Sequence, residues 1–101
     1  MASRTDLQSL LESILGSEEV YYQAPPSLSM TYPAILYSIK NYYMILADDA
    51  KYLKRRCYEI IVISRSPEFV ANESILELPY CSFDRQYKAD NLYHTVFTLY
   101  Y

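Results

Sequence analysis

The sequence predicts an α+β domain: a four- to five-stranded, mostly antiparallel sheet with two helices packed on one face, in the order α-β-β-β-α-β-β. Three observations predict it. Apolar residues recur at helical spacing in two short stretches only. Elsewhere apolar and polar residues alternate with the period of a half-buried strand. The chain has 101 residues, 51% hydrophobic and 21% charged. That is enough for one core at residues 1–101, too little for two, and unlike a disordered chain.

Leu7, Leu10, Leu11, Ile14 and Leu15 fall at i, i+3, i+4, i+7 and i+8, one apolar stripe of a helix. Thr5 is placed to cap its start, with Gln8 as the returning partner of a capping box. Gly16, the one glycine of the chain, falls where a left-handed residue ends a helix. Val20-Tyr21-Tyr22 reads as a short strand, ended by Ala24-Pro25-Pro26-Ser27, because prolines cannot donate to a ladder. Tyr32-Pro33 opens a second strand through Lys40, with Ile35, Tyr37 and Ile39 on one face and Ala34, Leu36 and Ser38 on the other.

Residues 41–51 link this strand to the next, and Asp48-Asp49 read as a turn. Tyr42, Tyr43, Met44, Ile45 and Leu46 are apolar throughout, which admits two readings: strand continuation in a long hairpin, or an exposed arm that docks on another subunit. Tyr52 to Ser64 is the longest strand, with Tyr58, Ile60 and Val62 on one face and Cys57, Glu59, Ile61 and Ile63 on the other. The basic knot Lys51, Lys54, Arg55 and Arg56 reads either as charge that guards a strand edge or as a docking patch.

Ser66 and Pro67 fit the N-cap and first position of a second helix, and Glu68 suits the positive end of its dipole. Phe69, Val70, Ala71, Ile75, Leu76 and Leu78 supply its apolar side, and Pro79 closes it. A final hairpin follows. Cys81, Phe83, Arg85 and Tyr87 alternate with Ser82, Asp84 and Gln86, Lys88-Ala89-Asp90-Asn91 turns the chain, and Leu92 to Tyr101 returns. The end of the chain inside a strand is expected to be structural.

Composition excludes several function classes. A chain with one glycine has no glycine-rich phosphate cradle. Cys57 and Cys81 form neither a CxxC pair nor a disulfide framework and are expected as reduced thiols on strands. No apolar run approaches the roughly 20 residues of a membrane span, and the start lacks a basic segment followed by an apolar one, so a soluble intracellular product is expected. The net charge of −3 does not favour bulk nucleic-acid binding. Thirteen tyrosines suit strands and interfaces, since the ring is apolar and its tip polar.

No catalytic constellation is legible, and no enzyme, cofactor or metal is expected. His94 stands without a nucleophile beside it and reads as structural. Asp48-Asp49 lack the further oxygen ligands a cation needs. Asp84 and Arg85, adjacent in a strand, are expected on opposite faces and not paired with each other. The residues reach a small α+β interaction module, and a small enzyme or an antitoxin-like regulator is the alternative outside that class. A regulator would show a basic DNA-reading helix, whereas both helices here carry acids.

Three stretches extend this reading. Tyr22 to Pro26 leads into Met30 to Tyr37, Tyr58 to Pro67 runs from strand to helix start, and Leu78 to Tyr87 continues through Ala89 to Tyr100. In these the chain resembles the tail terminator, or tail completion, proteins of long-tailed bacteriophages and prophages. The likeness covers nearly the whole chain, and its ending departs at Tyr93, where many relatives carry Asn. The resemblance implies a virion protein of the tail or neck, made in the host bacterial cytoplasm. It implies a homo-oligomeric ring, typically of six copies, that meets the tail tube protein on one side and the head connector or stopper on the other. Such a ring stops tube polymerisation and passes the genome through its lumen, with no membrane partner and no sequence-specific nucleic-acid contact. No active residue is carried over. A head-tail connector of the neck is the nearest alternative. Tyr42, Tyr43, Met44, Ile45, Lys54, Arg55 and Arg56 are the candidate contact residues, because apolar and basic character concentrate there.

Overall fold

Strand length decides the architecture. In a computed structural model, which describes residues 4–24, 31–46 and 52–101 (42–46 and 52–55 through their backbone), seven elements follow in order. They are α1 (Arg4–Leu15), β1 (Val20–Tyr22), β2 (Ala34–Leu46), β3 (Tyr52–Ser64), α2 (Val70–Leu76), β4 (Cys81–Ala89) and β5 (Leu92–Tyr100). The strands form one sheet in the order β1-β2-β3-β5-β4. β1 runs parallel to β2, and every other pairing is antiparallel. The α+β class, the element order and the mostly antiparallel sheet are those the sequence predicts.

Both helices cover one face. Register aligns Ile35 with Val62, Tyr37 with Ile60 and Ile39 with Tyr58, and Ile60 with Phe97 and Tyr58 with Leu99. Leu7 and Leu11 of α1 and Ile75 of α2 close over these side chains to make one core. Burying a Leu, Ile or Phe contributes about 1.5–3 kcal/mol each, so this face supplies most of the stability. The opposite face carries the rows Ala34-Ile63-His94-Tyr87, Leu36-Ile61-Val96-Arg85 and Ser38-Glu59-Thr98-Ser82.

A polar network seats α1 on the sheet. Gln8 donates to the Val20 carbonyl at 2.9 Å and accepts from the Tyr37 hydroxyl, which accepts from Arg4 at 3.2 Å. The Arg4 guanidinium also lies 4.6 Å from the centre of the Tyr22 ring. Thr5 and Gln8 therefore form no capping box. The helix begins at Arg4, one residue before the expected cap, and Gln8 is drawn to the sheet instead. Gly16 ends α1 as predicted, with φ of 80° and its N–H on the Glu12 carbonyl at 2.8 Å.

Three further expectations are corrected. The second helix starts at Val70, with Phe69 as an N-cap that gives no side-chain bond. Ser66 accepts from the Glu68 N–H at 3.2 Å in the turn before it, and Val70 and Leu76 are exposed. In β4 the register shifts between Phe83 and Arg85. The bulge at Asp84 inverts the alternation beyond it and lets Arg85 bond Asp84 at 2.7 Å. That exposed pair contributes little to stability. The turn into β5 needs only Asp90 and Asn91, both at positive φ, as a tight two-residue hairpin requires. The expected turn at Asp48-Asp49 and the proline stop at residues 25–26 lie outside the described residues.

Burial holds the Tyr37 phenol above its ordinary pKa, and the Arg4 guanidinium partly offsets this. A raised folded pKa gives a contribution that is complete below the unfolded value, near 10, and declines as pH rises through the folded one. Tyr37→Phe is expected to lose about 1–2 kcal/mol near neutrality, from two hydrogen bonds and the stranded Gln8 acceptor. Denaturant titrations at pH 7 and pH 10.5 check both points, the deficit of the variant shrinking at the higher pH.

Candidate functional site

β2 and β3 outrun their neighbours. β1 stops opposite Tyr37, and β5 pairs with β3 as far as Cys57, with the Tyr101 N–H donating to the Arg56 carbonyl at 2.9 Å one row further. Beyond a register shift between Ile39 and Asn41, the two long strands continue as Tyr42 opposite Arg56, Tyr43 opposite Arg55, Met44 opposite Lys54 and Ile45 opposite Leu53. Among the described residues, no third strand flanks this part beyond Arg56. It is a two-stranded arm roughly 20 Å long, at 3.3 Å per residue. The long axis of the molecule, 51 Å against 23 and 22 Å across, and a radius of gyration of 14.5 Å fit such an extension, since a compact chain of this length has about 13 Å.

The register therefore brings all seven candidate contact residues into one ribbon. Residues 42–46 are strand continuation in a long hairpin, the first of the two sequence readings, and the arm geometry leaves the second compatible with it. The charge follows the same division. Residues 40–56 carry five basic and two acidic groups, net +3, which leaves the rest of the chain at net −6.

At the root of the arm, Arg4, Tyr22, Ile39, Arg56 and Tyr58 line a hollow of about 240 Å³. Tyr58 is fully buried, and its hydroxyl has no hydrogen-bond partner among the described residues.

A second feature lies at the far edge of the sheet. The exposed large apolar residues among the described ones are Val70, Leu76, Tyr80, Phe83 and Tyr87, all between α2 and the end of β4. Leu76 and Phe83 flank a shallow groove of about 170 Å³ with Phe97 in its floor and Pro67, Glu73 and Gln86 around it. The Phe83 ring meets Phe97 edge-on at 6.1 Å, yet 53% of Phe83 is exposed. Gln86 fixes one wall by donating to the Pro67 carbonyl at 3.0 Å and to the Thr95 hydroxyl at 2.9 Å. Glu68, Glu73 and Glu77 stand exposed around α2.

No protein-family model, curated protein or solved structure matches the chain.

The groove is the feature the sequence reading missed. The sequence reading puts Phe69, Val70, Ala71, Ile75, Leu76 and Leu78 on one apolar side, but at 100° per residue they span far more than one stripe. Ala71 and Ile75 take the core side, and Val70 and Leu76 are left outside. Phe83 is displaced from cover by its place on the edge strand.

His94 stacks on Tyr87 at 4.9 Å with rings 9° apart, and its Nδ1 lies 3.3 Å from the Leu92 carbonyl oxygen. Cys57 is buried and Cys81 half-buried, and neither is in a disulfide. Burial raises the Cys81 thiol pKa. Among the described residues, no group of three or more His, Cys, Asp or Glu is placed to hold a metal ion, and no helix is long and apolar enough to cross a membrane.

Because the arm extends beyond the rows of the five-stranded sheet that the helices cover, polar substitutions there are expected to spare the core. Met44→Asp combined with Ile45→Asp should leave the unfolding free energy within about 1 kcal/mol of wild type, the range of surface substitutions and slightly more. Ile60→Ala, in the core, should cost about 2–5 kcal/mol. Urea titrations of the two variants separate an arm from a core strand.

Proposed function

We propose that this chain is a structural virion protein of a long-tailed phage or prophage, a tail terminator. In this reading several copies, typically six, form a ring on the head-proximal end of the tail tube, stop its polymerisation and present a surface to the head connector. The observation that carries the reading is the β2–β3 arm, which no third strand flanks beyond Arg56 among the described residues, together with the sequence resemblance along nearly the whole chain. A two-stranded ribbon is marginal in water by itself, and an apolar, basic ribbon suits contact with another subunit. A closed ring requires head-to-tail contacts, in which two different surfaces of each copy meet.

Termination has a simple physical requirement. A tube ring offers the next ring the same surface it docked on, so growth continues until something occupies that surface without renewing it. A strand-rich domain meets this requirement if one side docks on the tube and the other lacks the repeating surface. Tyrosine supplies contact area at low cost in side-chain entropy. On this account His94 and the two thiols are structural and the chain has no catalytic role.

The second reading, a head-tail connector or stopper of the neck, shares the small size and the ring. The two separate in lysates of a phage lacking the gene. A missing terminator is expected to give tail tubes of irregular, excess length beside filled heads without tails. Tails of normal length that fail to attach would refute termination and favour the connector. Electron microscopy of the lysate reads the tail-length distribution directly.

A further inference from the structure

We propose that the arm of one copy seats in the α2–β4 groove of the next, so that the chain associates with itself head to tail. The inference deepens the ring reading and rests on it only for the number of copies.

Four observations converge. The arm, residues 42–46 with 52–55, has no flanking strand of its own among the described residues. Two of the exposed large apolar residues among the described ones, Leu76 of α2 and Phe83 of β4, line the groove between them. Their chemistry is complementary. The arm sequence combines Tyr42, Tyr43, Met44, Ile45 and Leu53 with Lys54, Arg55 and Arg56, whereas the groove combines apolar walls with Glu73 on its rim and Glu68 and Glu77 nearby. Finally, the groove is out of reach of its own arm. β5 lies between β3 and β4, and the arm leaves the sheet at the Tyr100 end of β5, whereas the groove lies near Thr95 and Phe97.

Charge selects the occupant. Two arms meeting symmetrically would bring net +3 against net +3 over residues 40–56, and two grooves would bring their glutamates together. Arm into groove joins opposite signs and leaves like charges apart. An open oligomer then keeps one unused arm at one end and one unused groove at the other until a ring closes.

A mixing experiment tests this with the pure full-length chain. The arm variant is Lys54→Glu with Arg55→Glu. The groove variant is Glu73→Lys with Phe83→Asp, both exposed positions. Sedimentation velocity should show the wild type associating. Each variant alone should associate at least about tenfold more weakly, the usual scale for a central contact. An equimolar mixture should give dimers and nothing larger, because it holds one intact arm and one intact groove per pair. If Phe83→Asp impairs folding, judged by circular dichroism, Glu73→Lys replaces the groove variant and is read alone, without the mixture, by its own weaker association, and Glu73→Lys with Arg55→Glu in one chain should regain association. A wild type that stays monomeric, a groove variant that assembles like wild type, or a mixture that stays monomeric would overturn the proposal. The terminator reading is tested separately by tail length. Assembly through arm and groove with normal tails in its absence would retain the proposal and remove that reading.

Discussion

The pairing of β2 with β3 is the interaction on which the rest of the molecule depends. Over its first half it is the centre of a sheet, with Ile35, Tyr37, Ile60 and Val62 fully buried or nearly so beneath two helices. Over its second half, beyond Arg56, the same ladder runs on with no flanking strand among the described residues. The change comes at the register shift between Ile39 and Asn41, where an extra residue strengthens local twist. One continuous hairpin therefore belongs to the core at one end and to the surface at the other. Backbone groups on the outer edges of such a ribbon are the usual template for pairing or docking with another chain.

The helices hold that division in place. Gln8 and Arg4 tie α1 to Val20 of β1 and to Tyr37 of β2, and Tyr37 stands in the last row that β1 flanks, so the sheet is fixed close to the root of the arm. The acids that the helices expose concentrate negative charge on the body, and the basic residues concentrate on the hairpin. Association steered by that separation is expected to weaken with salt, because exposed charges are screened within about 10 Å at 0.1 M ionic strength. The apolar part of the contact would be little affected.

Most of the fold was legible because its signals are local. The stripe from Leu7 to Leu15 and Gly16 after it marked α1, and the alternation at Ile35, Tyr37 and Ile39 set the buried face of β2. What failed depended on tertiary choices. Gln8 was free to cap its helix or to bond the sheet, and the Val20 carbonyl and the Tyr37 hydroxyl drew it to the sheet. Nothing in the period of Cys81 to Tyr87 marked the bulge at Asp84, so the pairing of Asp84 with Arg85 was missed. The parallel pairing of β1 with β2 was likewise invisible, since three residues carry no direction. The arm residues were found by composition. The groove was not, because Leu76 and Phe83 lie on different elements, α2 and β4, and look like core until the sheet edge leaves them uncovered.

Hydrogen exchange tests the central claim most directly, that this hairpin is core at its root and depends on a neighbouring copy along its arm. Amides of residues 57–63 should be protected at every protein concentration, since they belong to the globally stable unit. Amides of 42–46 and 52–55 should exchange rapidly in dilute protein and slow as concentration rises, together with those of β4 around Phe83. Arm amides that are as protected as the sheet core in dilute monomer would contradict the account. So would concentration-dependent protection of the arm that leaves the groove untouched.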